Sequence, residues 1–117
     1  MGKFAVILLA QPGDLGRAVH GLLYSKDLKQ AGHQVQLVFD GGGTTWIGEF
    51  EKPDHKYHRL YKEVKAAGLI GGACDYCAKA FRVDGQVAQA GIKCIGEADG
   101  HPSVANLVQQ GYTLITL

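Results

Sequence analysis

Apolar positions fall along this chain in two rhythms, short unbroken runs and helical stripes, and the two alternate from one end to the other. Phe4 to Leu9 is a continuous apolar run, the pattern of a central parallel strand covered on both faces. Asp14 is placed to cap the next segment, where Leu15, Ala18, Val19, Leu22 and Leu23 recur at helical spacing. Gly32 suits the left-handed position that ends such a helix. Val35 to Phe39 predicts a second strand. Asp40 to Lys52 shows no periodicity and reads as a long loop. Pro53 and Asp54 open a second helix with Tyr57, Leu60, Tyr61 and Val64 inward, closed by Gly68.

Leu69 to Ala73 is a third strand, and Cys74 to Phe81 a short helix. Gln86 to Ala90 makes at most a helical turn, and Ile92 to Ile95 a weak fourth strand. Pro102 fits the first turn of a last helix with Val104, Leu107 and Val108 inward, and Thr113 to Leu117 is the fifth strand. Strands alternating with helices predict an α/β fold, with a parallel sheet covered on both faces. Without an internal linker or repeat, residues 1–117 form a single domain.

Composition narrows the function classes. With 46% hydrophobic and 20% charged residues in 117, the chain is globular rather than disordered. A net charge of +1 gives no electrostatic reason to bind nucleic acid or an anionic membrane. The longest apolar run, Phe4 to Ala10, is far too short to span a bilayer. Gln11-Pro12-Gly13-Asp14 after it reads as a turn rather than a signal-peptide cleavage site, so a cytoplasmic location is expected. There are 3 cysteines, two of them at C-x-x-C spacing, which is not the framework of a disulfide-rich secreted domain.

Reactive groups in parallel α/β sheets gather beyond the carboxyl ends of the strands. Three segments leave that edge here: Gln11 to Asp14, Asp40 to Lys52 and Ala73 to Cys77. Cys74 stands at a helix start, whose free N–H groups favour thiolate over thiol. An ordinary thiol of pKa ~8.5 is only ~3% ionised at pH 7, and a shift to ~7 would ionise about half of it. Asp75 opposes that shift, and Lys79 offsets Asp75 as an i,i+4 pair. Cys77, three residues on, shares the helical face. Such a pair handles sulfur or electrons, supplies half of a metal site, or packs as two small apolar groups. On this reading Cys74 and Cys77 are the candidate catalytic residues.

The run Ala73-Cys74-Asp75-Tyr76-Cys77-Ala78-Lys79-Ala80-Phe81-Arg82-Val83 resembles the cysteine segment of DsrE-like sulfur-relay proteins, including the TusD and YchN branches. Gln11-Pro12-Gly13, Ala31-Gly32-His33 and Val38-Phe39-Asp40-Gly41 agree in order, so the resemblance covers nearly the whole chain. It implies a three-layer α/β/α fold with a five-stranded parallel sheet, assembled as a trimer or hexamer. It also implies a persulfide carrier or sulfurtransferase, with sulfur donor and acceptor proteins as partners. By position the family cysteine is Cys74, and Cys77 matches a second cysteine of the YchN-like branch. Phe81-Arg82-Val83 stands where relay members have Arg-Arg-Gly, and Asp75 follows the cysteine. The other readings are a non-catalytic oligomeric module that binds a ligand or protein, and a dithiol redox protein.

Weaker signals complete the set. Gly41-Gly42-Gly43 before Thr44-Thr45 either cradles a ligand or lets the chain turn sharply; it lacks the Lys-Ser/Thr of a P-loop. Gly41, Gly42, Gly43 and Trp46 are the candidate substrate contacts, and Trp46 and Phe50 form either a lid over the thiols or, as aromatic enrichment at interfaces favours, a subunit contact. Cys94 and His101 would complete a zinc site with Cys74 and Cys77. However, no second close pair follows, so neither metal nor cofactor is expected and Cys94 is assigned to the core.

Overall fold

A computed structural model describes all 117 residues. Five parallel strands, β1 (Lys3–Leu8), β2 (Gln34–Phe39), β3 (Ile70–Cys74), β4 (Cys94–Ile95) and β5 (Thr113–Thr116), form one sheet in the order β4-β3-β2-β1-β5. Between them lie α1 (Leu15–Gln30), α2 (Thr45–Glu51), α3 (His58–Ala66), α4 (Asp75–Ala80), α5 (Asp84–Gln89) and α6 (Val104–Gln109). No helix is long and apolar enough to cross a membrane.

The topology decides which face each helix covers. From β1 to β4 every step moves the same way across the sheet, so right-handed crossovers put α1 to α5 on one face. The last connection runs back over the sheet to β5, which sends α6 to the other. Strand alternation agrees. Val6, Leu8, Leu37 and Phe39 point into the large core with Leu22, Ile47, Phe50 and Tyr61, whereas Ala5, Ile7 and Val38 meet only Leu107 of α6 among buried residues. The result is three layers of unequal weight.

The expected α1 forms as its sequence predicts. The Asp14 side chain accepts from the Arg17 amide at 3.3 Å, and Gly32 adopts φ 91° just past the helix end. Leu23 is the one stripe residue left exposed.

Four expectations are corrected. Asp40 to Lys52 is not a loop: Gly41–Thr44 is a 3₁₀ turn that runs into α2. The Asp40 carboxylate caps it through the Gly41 amide at 2.8 Å, and the Thr44 and Thr45 hydroxyls donate to the Gly41 and Gly42 carbonyls. Helix α2 is too short to show a period, since only Trp46, Ile47 and Phe50 mark it. Those residues are core rather than interface: Trp46 and Phe50 are buried within this chain, with their rings stacked at 5.6 Å and the indole N–H donating to the Ala10 carbonyl at 3.0 Å. Cys94 is exposed rather than buried, because β4 is a two-residue edge strand with little to cover it. Val104 and Val108 are also exposed, for only Leu107 of α6 reaches the sheet.

Element ends shift too. Pro53 to Tyr57 is a series of turns, so α3 starts at His58, and Asp84–Gln89 is a helix in its own right.

One polar cluster ties α2 to α3. The buried Tyr61 hydroxyl donates to Glu51 Oε2 at 2.6 Å, and Lys65 Nζ reaches the same oxygen at 2.7 Å. Burial pushes the Glu51 pKa up, but the bonds from Lys65 and Tyr61 outweigh it and hold the carboxyl below its usual range. A depressed carboxyl stabilises the fold above its unfolded pKa and ceases to do so as pH falls through the folded one. Glu51→Gln is therefore expected to cost about 1–2 kcal/mol in urea unfolding at pH 7. The difference from wild type should shrink as pH falls through the carboxylate range; a gap that stays constant would disprove the ionic part.

Candidate functional site

The parallel register carries Phe39 of β2 level with Ala73 of β3, so Asp40 and Cys74 leave the sheet side by side. Cys74 is the last residue of β3 and also the N-cap of α4 (φ −60°, ψ 120°), with its sulfur accepting from the Cys77 amide at 3.4 Å. That helix start turns the Cys77 side chain back towards the end of β2, where Cys77 Sγ lies 3.8 Å from Asp40 Oδ1. The expected meeting of thiols and glycine-rich segment at one edge is therefore present, through Asp40.

A third segment closes the site. Ala98 and His101 pair across a two-residue turn, with amide–carbonyl bonds of 2.8 and 2.9 Å. Asp99 (φ 53°) and Gly100 (φ 88°) both take positive φ, the conformation of a tight hairpin turn of the Asp-Gly kind. The Tyr76 amide donates to the Gly100 carbonyl at 2.9 Å, which fastens this turn to α4. His101 is thereby held over the thiols: its Nδ1 is 3.2 Å from Cys74 Sγ and 3.9 Å from Cys77 Sγ, and its ring leans on Tyr76 at 5.0 Å.

The electrostatics of Cys74 differ from expectation. The residue is fully buried, and burial pushes its thiol pKa up to about 12. The Cys77 amide works in the opposite direction, while the Cys77 thiol and the Asp40 charge add to the rise. The helix start does act on this sulfur as the sequence implies, but desolvation is the larger effect. At neutral pH the resting group is therefore S–H, with His101 Nδ1 3.2 Å from the sulfur. Cys77 is half-buried and is the more accessible residue of the pair. Lys79 and Asp75 form their i,i+4 pair at 3.2 Å.

The family model for DsrE/DsrF-like proteins matches residues 2–117. The chain belongs to the DsrE/DsrF-like family. Among curated proteins it is similar to the uncharacterized protein MJ0733 of Methanocaldococcus jannaschii, 25% identical over 99 residues that make up 85% of this chain and 78% of that protein. No solved structure matches it.

Within this DsrE/DsrF-like fold the other candidates have structural parts, the glycines in the turn that follows Asp40. Gly43 is needed for packing, since a Cβ there would stand 1.9 Å from the Leu8 carbonyl oxygen, and Gly41 takes φ 52° to start the 3₁₀ turn. Gly42 is buried against the Gln11 side chain. Trp46 forms one wall of a cleft of about 380 Å³ with Pro12, Thr45, Glu49, Lys52 and Val83, and neither thiol lines it. Cys94 sits on β4 opposite Ala73, outside the thiol cluster. Asp40 was not a sequence candidate, because its role comes from strand register alone. His101 was named with Cys94 as completing a zinc site on Cys74 and Cys77; of those two only His101 stands at the thiols, and the Asp99-Gly100 pair before it carried a hairpin signal.

Alkylation of the folded, reduced chain should follow these exposures. Iodoacetamide at pH 8, read by peptide mass spectrometry, is expected to modify Cys94 and Cys77 well before Cys74, which reacts at a comparable rate only after unfolding. Early labelling of Cys74 in the native chain would contradict the buried, protonated state.

Proposed function

We propose that this chain is a sulfur-relay protein that carries sulfane sulfur on the Cys74–Cys77 pair, with His101 managing the proton. The observation that supports this reading best is the arrangement of the two thiols. One is half-exposed, the other is sealed and protonated, and an imidazole stands within 3.9 Å of both. Membership of the DsrE/DsrF-like family supports the same chemistry.

Cys77 is the entry point in this reading, although the family resemblance would place it at Cys74, because a donor protein's persulfide reaches only the half-exposed sulfur. As Cys77 sulfur attacks the outer sulfur of the donor persulfide, its proton passes to His101 Nδ1. The new S–S bond forms on Cys77, the donor's S–S bond breaks, and the donor thiolate takes up a proton. The balance is one thiol and one persulfide on each side, so no oxidant is needed. Delivery to an acceptor thiol runs the same exchange forward again.

Cys74 sets what happens to the carried sulfur. Its attack on the inner sulfur of Cys77 persulfide would close a Cys74–Cys77 disulfide and expel hydrosulfide. A thiol held at S–H attacks slowly, so the persulfide survives until an acceptor arrives.

Incubation of the reduced chain with a small-molecule persulfide, followed by intact-mass and peptide analysis, tests this. Wild type and Cys74→Ser are expected to gain the mass of one sulfur atom at Cys77, and Cys77→Ser to gain none on the peptide that carries Cys74. Uptake at Cys74 in Cys77→Ser would make Cys74 the carrier, and unchanged function in the Cys74→Ser, Cys77→Ser double variant would favour a non-catalytic module.

The relay would work as a homo-oligomer. The thin cover that α6 gives the second sheet face, with Val104 and Val108 half-exposed on that helix, supports a subunit contact there. Sedimentation of a Val104→Asp, Val108→Asp variant should give a smaller species than wild type; identical assemblies would place the contact elsewhere.

A further inference from the structure

Four side chains from three segments converge on one point at the carboxyl edge of the sheet. They are Asp40 after β2, Cys74 at the end of β3, Cys77 in α4 and His101 after the Asp99-Gly100 turn, and each offers one donor atom within 4.8 Å of all the others. We propose that these four residues form a binding site for a borderline-soft divalent metal ion of the zinc class.

Three of the donor–donor distances lie near those of a tetrahedral site. Bonds of about 2.3 Å to sulfur and about 2.0 Å to nitrogen or oxygen set the donors of a tetrahedral zinc about 3.3–3.8 Å apart. Here Cys74 Sγ to His101 Nδ1 is 3.2 Å, Cys77 Sγ to Asp40 Oδ1 is 3.8 Å and Cys77 Sγ to His101 Nδ1 is 3.9 Å. The donor set of two sulfurs, one imidazole nitrogen and one carboxylate oxygen suits zinc in preference to magnesium or calcium, which take oxygen ligands.

The surroundings orient these donors as metal sites require. The Gly41 amide holds Asp40 Oδ1 at 2.8 Å, and the Cys77 amide points at Cys74 Sγ. The Asp-Gly turn, tied to α4 through Tyr76, fixes the His101 ring. Binding would release one proton from each thiol to the solvent, while the imidazole would bind through the Nδ1 lone pair with its proton on Nε2. Cys94 has no part in the site.

This inference does not rest on sulfur relay, though an ion held here would occupy both relay thiols and block uptake. Its test therefore uses no sulfur donor. The full chain, reduced and stripped with chelator, is titrated with Co²⁺ and followed by absorption. One ion per chain is expected, with thiolate-to-cobalt charge transfer and intense tetrahedral bands, both lost on adding Zn²⁺. Asp40→Asn and His101→Gln should weaken binding at least about tenfold, and Cys94→Ser should bind like wild type. Lack of thiolate–cobalt absorption in wild type, or its survival in the Cys74→Ser, Cys77→Ser double variant, would overturn the proposal. If ligand variants fail to fold, the unsubstituted chain decides the matter: zinc must raise its Tm, and an unmoved Tm sinks the site.

Discussion

The hydrogen bond from the Tyr76 amide to the Gly100 carbonyl is the contact on which the site depends. It joins the helix that follows Cys74 to the turn that carries His101, beside the contact of the Tyr76 and His101 rings. With it the two positive φ angles of Asp99 and Gly100 aim the ring at Cys74. A short, locally determined turn thereby becomes part of a site assembled from distant parts of the chain.

The sheet supplies the remaining precision. Parallel pairing of β2 with β3 brings two chain exits to the same edge, and β3 feeds directly into α4 with no residue between them. Cys74 is consequently both strand end and helix cap, which places it under the layer of α4 and removes it from solvent. That burial changes its chemistry. A helix start stabilises a thiolate, but here the desolvation of a charged sulfur is the larger effect, and the protonated thiol is what the fold stabilises. Cys77, one helical turn on, escapes this constraint.

The same geometry accommodates either a transferable sulfur or a metal ion, because both need two thiols close together and a base or ligand beside them. The two uses exclude each other at any moment, since each occupies Cys77. The unequal layers belong to the same economy of fold. Five helices build the large core that supports the site, while α6 alone leaves the opposite face thinly covered.

The chain's own pattern determined the strand–helix alternation, the Asp14 cap, the helix stop at Gly32 and the C-x-x-C pair at a strand end. Each depends on neighbours a few residues apart. It left α2 unread, because three core residues over two turns show no period, and it placed Cys94 inside, because an edge strand looks like any other apolar run. Only the tertiary structure brought Asp40 and His101 to the thiols and sealed Cys74. Those outcomes arise from strand register and from the packing of segments far apart in sequence, where local propensity carries no signal.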